Sequence, residues 1–398
     1  MPTATFSVQT DWDAAVTNAF TIGVSTLGGG DVLTGLFGVD FSGTYDDLTA
    51  ETKSFRITRG RDDNLDPMRA GECTITLKDS TGKFNPKNAS SVLTGQLLPM
   101  RPVRIRATLS GTTYGLFRGF VRSIDHNAEA RESTIHAVDL FIWLSRVSPT
   151  IASATTTTGS AIGLILDAVG YTDPAFRDLD TGDSITFSAD GTVTALALIE
   201  GLLEAERGVF YISGSGVATY ETRHAKALRT TSSATLTNVL TEIQPGIDLD
   251  RIRNRWTVIR DGGGTATSYD ADSQATYGWA DGGQITTSYL ADDSAGTALA
   301  NYLVALRKDP RAPVRGVEMV NQDTATYTQA LTRELQDRVT VVESGISGTT
   351  GDYHIESVEH EVSDGGLLHR TSWAVSERGD DVFVLGVSTL GGGDVLSY

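Results

Sequence analysis

Val121-Arg122-Ser123-Ile124-Asp125-His126 and Ile355-Glu356-Ser357-Val358-Glu359-His360 run in the same order: apolar, charged, Ser, apolar, acid, His. Their surroundings repeat too. Upstream lie Val103-Arg104-Ile105-Arg106, after Arg101-Pro102, and Val339-Thr340-Val341, after Asp337-Arg338. Downstream lie Thr134-Ile135-His136-Ala137-Val138 and Thr371-Ser372-Trp373-Ala374-Val375, with Thr134 answering to Thr371. Alternation of this kind sends apolar side chains to one face of a strand, so the chain reads as two related β-modules.

Working outward, Phe55–Thr58, Cys73–Leu77 and Leu116–Val121 are strand-like runs separated by Gly, Asn, Asp and Pro clusters. They place a first β-module, a barrel or a sandwich, at 48–150. A small α+β domain follows at 151–235. Ile162, Ile165, Leu166 and Val169 have helical spacing within Gly159–Val169, with Gly170 as the cap. Ala195, Leu198, Ile199 and Leu202 do the same within Val193–Arg207, which Gly208 should stop. A hairpin then joins Val209–Ile212 to Val217–Tyr220. The second β-barrel module takes 236–263 and 311–380, with Ile252–Ile259 as its first strand. Between these lies a helical insertion, 264–310. Its helix is capped by Ser294 or Asp293, presents Ala295, Leu299, Tyr302, Leu303 and Leu306, and ends at Arg307, Lys308 and Pro310. The fold class expected is mainly β (α+β).

Outside this core, GVSTLGGGDVL occurs identically at Gly23–Leu33 and Gly386–Leu396. The first copy lies in an N-terminal extension, 1–47, and the second in a C-terminal tag, 381–398. Two readings stay open: edge strands that finish each barrel, or a partner-docking element. In the docking reading the residues are Phe20, Val24, Leu27, Asp31 and Leu33, and Phe383, Val387, Leu390, Asp394 and Leu396. Apolar anchors would flank glycines that permit close backbone approach.

Composition narrows the function classes. At 398 residues the chain is longer than one core usually organises. Thirty-two Lys plus Arg against 50 Asp plus Glu give a net charge of −18, which disfavours general binding to nucleic acid or anionic membranes. No apolar run reaches the roughly 20 residues that span a bilayer. Cys73 is the only cysteine, so intramolecular disulfides and Cys-based zinc sites are excluded. The opening MPTATFSVQT has no secretion signal, and folding in a reducing cytoplasm is expected. The 42 glycines point to many tight turns.

Candidate chemistry is sparse. The histidines, His126, His136, His224, His354, His360 and His369, show neither HExxH nor His-x-His spacing, and His126 and His360 read as strand-end or surface residues. Asp62, Asn64 and Asp66 imitate a calcium loop, but Pro67 stands where Gly is needed and Cys73 where Glu is needed. Gly28–Gly30 and Gly391–Gly393 lack the Lys-Ser/Thr of a phosphate loop. There is no Gly-x-Ser-x-Gly elbow, and Cys73 reads as a small buried hydrophobe. The carboxylate pairs Glu204/Glu206 and Asp178/Asp180 reflect an acidic chain. Trp12, Trp143, Trp256, Trp279 and Trp373 sit mostly in strand-like contexts that suggest core. The expectation is no catalytic, cofactor or metal site, and no enzyme.

FRITRGRDDNLDPMRAGECTITLKDSTGKFNP (Phe55–Pro86), LLPMRPVRIRA (Leu97–Ala107), YGLFRGFV (Tyr114–Val121), RNRWTVIR (Arg253–Arg260) and YHIESVEHEV (Tyr353–Val362), in this order, resemble the baseplate-hub or minor tail (tail-associated) proteins of tailed bacteriophages. The likeness runs from about Leu48 to Val375 and omits the doubled motif. It implies tail-tube-like barrels in a homotrimer, whose six barrels match a sixfold tail tube. Implied partners are distal tail and tail-tube proteins, the tape-measure protein, and receptor-binding or tail-fibre proteins, with DNA only in transit. The implied place is the virion tail tip, after assembly in the host cytoplasm. A tail-associated cell-wall-degrading enzyme and a carbohydrate-binding tail protein remain the alternatives.

Overall fold

The computed structural model describes residues 2–14, 43–62, 66–237, 243–245, 252–309, 314–321, 323–342, 350–377, 382–383 and 395–396. Its main strands are β1 (Thr5–Thr10), β2 (Thr52–Gly60), β3 (Arg69–Lys78), β4 (Pro102–Leu109), β5 (Thr112–Asn127), β6 (Glu132–Val138), β7 (Ile243–Pro245), β8 (Arg255–Arg260), β9 (Thr265–Tyr269), β10 (Asp281–Thr287), β11 (Val314–Val320), β12 (Arg338–Val342), β13 (Thr350–Ser363) and β14 (Leu368–Glu377). The longer helices are α1 (Thr158–Ala168), α2 (Ala195–Glu206), α3 (Asp293–Arg307) and α4 (Thr324–Thr332). The protein is mainly β, as its alternating apolar runs require.

Among the described residues both modules belong to one 13-stranded sheet, in the order β7-β11-β14-β13-β2-β3-β6-β5-β4-β1, with β12 on β13 and two short strands completing it, Asp46–Asp47 on β1 and Ala234–Thr237 on β12. The join is made by β13 and β2, antiparallel, with Ser357 opposite Gly60, His360 opposite Ile57 and Val362 opposite Phe55. One apolar core runs beneath both halves, from Val8, Ile57, Ile75 and Ile105 to Val339, Ile355, Val358 and Trp373. Burying these alternate faces together gives the sheet its drive to form.

The duplication is visible bond by bond. β5 lies between β4 and β6, and β13 has β12 and β14 in the same places. β5 carries a bulge between Val121 and Ser123, and β13 carries one between Ile355 and Ser357. Arg122 and Glu356 are therefore the same extra residue in two copies. Val121 exchanges backbone bonds with the turn before β4 (Met100 N–H to Val121 C=O, 2.7 Å; Val121 N–H to Arg101 C=O, 2.8 Å). Ile355 does so with the turn before β12 (Gln336 N–H to Ile355 C=O, 2.7 Å; Ile355 N–H to Asp337 C=O, 3.1 Å). Met100 and Gln336, the turn residues, both take left-handed φ values, 66° and 67°. One detail differs from the sequence alignment. Ser123 faces His136 and Ser357 faces Ala374, so His136 answers to Ala374 and Ser133, not Thr134, to Thr371. The second hairpin runs two residue pairs further, Val362–His369 and Ser363–Leu368, past the counterpart of Asn127–Glu132, which the side-chain pattern alone does not reveal.

Other expectations are also adjusted. Thr5–Thr10 pairs with β4 along its whole length, so these residues of the N-terminal extension are part of the main sheet. Arg255–Arg260, expected as the first strand of the second module, pairs instead with β9 and β10 in a separate three-stranded sheet. Trp256, Val258 and Ile285 on one face of that sheet need α3, whose Leu299, Leu303 and Val304 cover them. The insertion thus has its own small core. Asp292 caps α3, accepting from Ala295 N–H at 2.9 Å, where Ser294 or Asp293 was expected. Helix α2 ends on Arg207, which takes the left-handed cap itself at φ 57°. Gly208 serves close packing: a Cβ there would come within 2.7 Å of the Glu221 carbonyl.

Gly60 sits at the join with φ +103°, and a Cβ would lie 2.1 Å from the Glu356 carbonyl oxygen. Gly60→Ala should cost more than about 2 kcal/mol in urea unfolding, since strain and a backbone clash add. Gly262→Ala, at φ +71° with open space around it, should cost about 1 kcal/mol.

Candidate functional site

The bulge at Glu356 turns its carboxylate into the seam between the modules. Glu356 is 1% exposed. It accepts from Arg61 Nε at 2.8 Å and Gln336 Nε2 at 3.2 Å, and pairs closely with Lys226 Nζ. Ser376 Oγ donates to it at 2.5 Å. Arg61 follows β2, Lys226 belongs to the small middle domain, and Gln336 and Ser376 belong to the second module. Arg61 N–H also donates to the Glu356 carbonyl at 2.9 Å. Burial would raise the Glu356 pKa, but Lys226 and Arg61 hold it well below the usual carboxylate range. A buried carboxylate is tolerable only with such partners.

A second knot lies one turn away. Arg59, 4% exposed, donates to Glu334 Oε1 at 2.5 Å and to the Ile212 carbonyl at 3.3 Å. Glu334 Oε2 accepts from Gly214 N–H at 2.9 Å. Tyr211 Oη donates to Glu221 at 3.0 Å and to the Leu335 carbonyl at 3.2 Å. The hairpin of the middle domain is thus tied to both modules. These charges hold parts together; no nucleophile or substrate-sized acid/base pair stands among them.

His360 is the main correction to the sequence reading of the histidines. It is buried, not a strand-end surface residue, because its place opposite Ile57 faces the core. His360 Nδ1 shares a hydrogen with His369 Nε2 at 3.0 Å, and His369 Nδ1 pairs with Tyr327 Oη at 3.0 Å. Burial holds His360 well below the ordinary histidine range and brings His369 to about 3. His354 also lies at about 3, through burial and the nearby Lys226. His126, the counterpart of His360 in the repeat, sits 3.2 Å from Asp79. Cys73 is buried between β2 and β6, and burial raises its thiol pKa. Among the described residues no cluster of His, Cys, Asp or Glu could hold a metal, and no helix is long and apolar enough to cross a membrane.

Of the docking residues, Phe383 and Leu396 lie in two short strands that pair in parallel, Val382 with Val395 and Phe383 with Leu396. Phe20, Val24, Leu27, Asp31, Leu33, Val387, Leu390 and Asp394 lie outside the described residues. Sequence reasoning missed two other features. One is the pair of sheet edges without a partner among the described residues: there β7 has only β11 as a neighbour, and the Ser123–Asn127 half of β5 pairs only with β6. The other is Trp279, expected in the core and 68% exposed. The unequal treatment of Ser123–Asn127 and its repeat Ser357–Glu361, which β2 covers, was the signal available once the repeat was aligned.

No protein-family model matches this chain, and no curated protein matches its sequence. The fold is shared with solved tail proteins. A tail protein from Neisseria meningitidis superposes with a TM-score of 0.58 at 11% identity, over 95% of this chain and 97% of that one. The 43 kDa tail protein of prophage MuSo2 from Shewanella oneidensis gives 0.55 at 13% identity, over 85% and 95%. The chain therefore has the fold of phage tail proteins across nearly its whole length.

Glu356→Gln leaves Arg61 and Lys226 without their buried counter-charge, and unfolding in urea should show a loss of about 3–5 kcal/mol. Stability should also fall as pH drops below 6.5. The unfolded chain then protonates histidines that the fold keeps neutral down to about 3 at His354 and His369. Loss of the Glu356 charge adds to this below the ordinary Glu value of about 4.3. Asp139, raised by burial to about 7, opposes the trend, since its contribution is full at low pH and is lost as pH rises toward 7. Asp337 and Glu200, also raised by burial, act in the same sense as Asp139, and denaturation between pH 7 and 4.5 should show His354, His360 and His369 prevailing over these carboxylates.

Proposed function

We propose that this chain is a structural protein of a phage tail tip, acting as a trimeric hub between the tail tube and the baseplate or receptor-binding proteins. The observation that carries this is the β2–β13 junction. Within one chain the first strand of one module completes the half-open edge of the central strand of the other. The repeat leaves the complementary pair unused: β7, equivalent to β2, and Ser123–Asn127, equivalent to Ser357–Glu361. Joining β7 of one copy to β5 of the next is a head-to-tail contact, and such contacts close into a ring where the rotation from copy to copy divides the full turn. Three copies then give six modules in one continuous wall, the number that suits a sixfold tube. Pairing also covers edges that would otherwise invite aggregation.

The channel inside would pass DNA during ejection. A net charge of −18 keeps a phosphate backbone from adhering to the wall. A lumen lined by Arg and Lys would overturn this part. The small domain and the insertion decorate the ring, and the doubled terminal motif supplies up to six docking elements per trimer for tube, tape-measure or receptor-binding and tail-fibre proteins. The chain acts by assembly; no catalytic step is assigned to it.

Light scattering on the purified chain should give three times 42.4 kDa, and a monomer at tens of micromolar would overturn the ring. Phe55 lies opposite Val362 within the chain, and the repeat carries these to Ile243 and Ala128. Ile243→Cys with Ala128→Cys should therefore yield disulfide-linked trimers on oxidation, Cys73 being buried and silent. Deleting Gly386–Tyr398 should leave the trimer intact and impair tail assembly or adsorption.

A further inference from the structure

We propose that the outer face of the β9-β8-β10 sheet is a binding site for a neutral carbohydrate. The inner face of this sheet is the apolar one that α3 covers. On the outer face the register sets three rows across the strands: Tyr269, Arg255, Asp281; then Thr267, Thr257, Gln284; then Thr265, Ile259, Thr286. Trp279 stands beside the first row, its ring under the Arg255 guanidinium at 5.1 Å. Tyr269 and Trp279 are 62% and 68% exposed, so two aromatic rings flank one arginine in open water.

Trp279 does not lie there by chance of a loose loop. Asn254, fully buried, clamps the chain on both sides of it. The Asn254 amide donates to the Gly278 carbonyl at 2.8 Å and to Ser273 Oγ at 3.1 Å, and its oxygen accepts from Ala280 N–H at 2.9 Å. Asn254 N–H adds a bond to the Ala280 carbonyl at 2.9 Å. A buried polar side chain spends all its hydrogen bonds on holding a large aromatic outside the core. Holding a platform rigid lowers the ordering cost of anything that stacks on it.

The chemistry of the face selects the ligand. Arg255 is neutralised by Asp281 at 3.0 Å, so the face offers no uncompensated cation to a phosphate or a sulfate. Its one aliphatic side chain, Ile259, is half-buried, so it lacks the apolar centre of a protein interface. Two aromatic rings accept the C–H faces of pyranose rings, while Thr257, Thr267, Gln284 and the Arg255–Asp281 pair donate to and accept from hydroxyls. A sugar needs this mixture, a stacking plane beside a carpet of small neutral polar groups.

The test does not depend on the ring, since the site lies within one copy. The full chain is titrated calorimetrically against neutral hexasaccharides of glucose, mannose, galactose, xylose and N-acetylglucosamine, with heparin hexasaccharide as the anionic control. Binding to at least one neutral sugar, with a Kd in the micromolar to low millimolar range, is expected. Trp279→Ala and Tyr269→Ala should each weaken it tenfold or more, while Trp279→Phe retains most of it. Both side chains are at the surface, and unchanged urea unfolding confirms the fold. No binding to any neutral sugar overturns the proposal. So do affinity unchanged by Trp279→Ala, binding confined to heparin, or release of a tail protein as the sole effect of Trp279→Ala.

Discussion

One buried carboxylate meets both modules and the middle domain. Glu356 stands at a bulge where β13 bends, and from that place it reaches Arg61 after β2, Lys226 in the middle domain, and Gln336 and Ser376 in its own module. Its backbone carbonyl takes Arg61 N–H as well. Arg122, the same residue in the first copy of the repeat, is exposed and makes only a long ion pair with Glu72 at 3.9 Å. The repeat gives two bulges; among the described residues only the one at Glu356 has a further strand of the chain, β2, against it.

The rest of the sheet follows from that asymmetry. Gly60 can approach the Glu356 carbonyl only without a side chain, so the β2–β13 ladder begins at a glycine. Below it, His360 faces Ile57 and is driven into the core, where it must find a partner for its ring nitrogen; His369 and then Tyr327 provide the chain of acceptors and donors. Arg59 and Glu334 repeat the arrangement on the other side of Gly60, engaging the middle domain through Ile212 and Gly214. Two modules with similar topology are thereby fused into one wall by polar contacts laid over a shared apolar core.

Much of this was legible in the residues. The apolar alternation of Val121–His126 and Ile355–His360 identified the equivalent strands, and the helical spacing of Ile162, Ile165 and Leu166, or of Leu198, Ile199 and Leu202, located α1 and α2. What was not legible depends on partners distant in the chain. Trp256 and Trp279 have similar local surroundings, yet α3 covers the first and Asn254 holds the second in solvent. The Arg255–Arg260 strand reads equally well as part of either sheet, since its pattern specifies a buried face and not what buries it. Arg207 takes the left-handed cap, and Gly208 leaves room for the carbonyl of Glu221, thirteen residues later.

The sequence by itself determined the mainly β character, the duplication, the short helices and the absence of disulfides, all of which follow from side-chain period, identity and composition. Only the tertiary structure decided that the modules share a single sheet, that the longer second hairpin shifts their alignment by one residue, that His360 is buried and that Trp279 is not. The physical reason is that period sets which face of an element is apolar, whereas burial and pairing depend on which surface arrives to cover it.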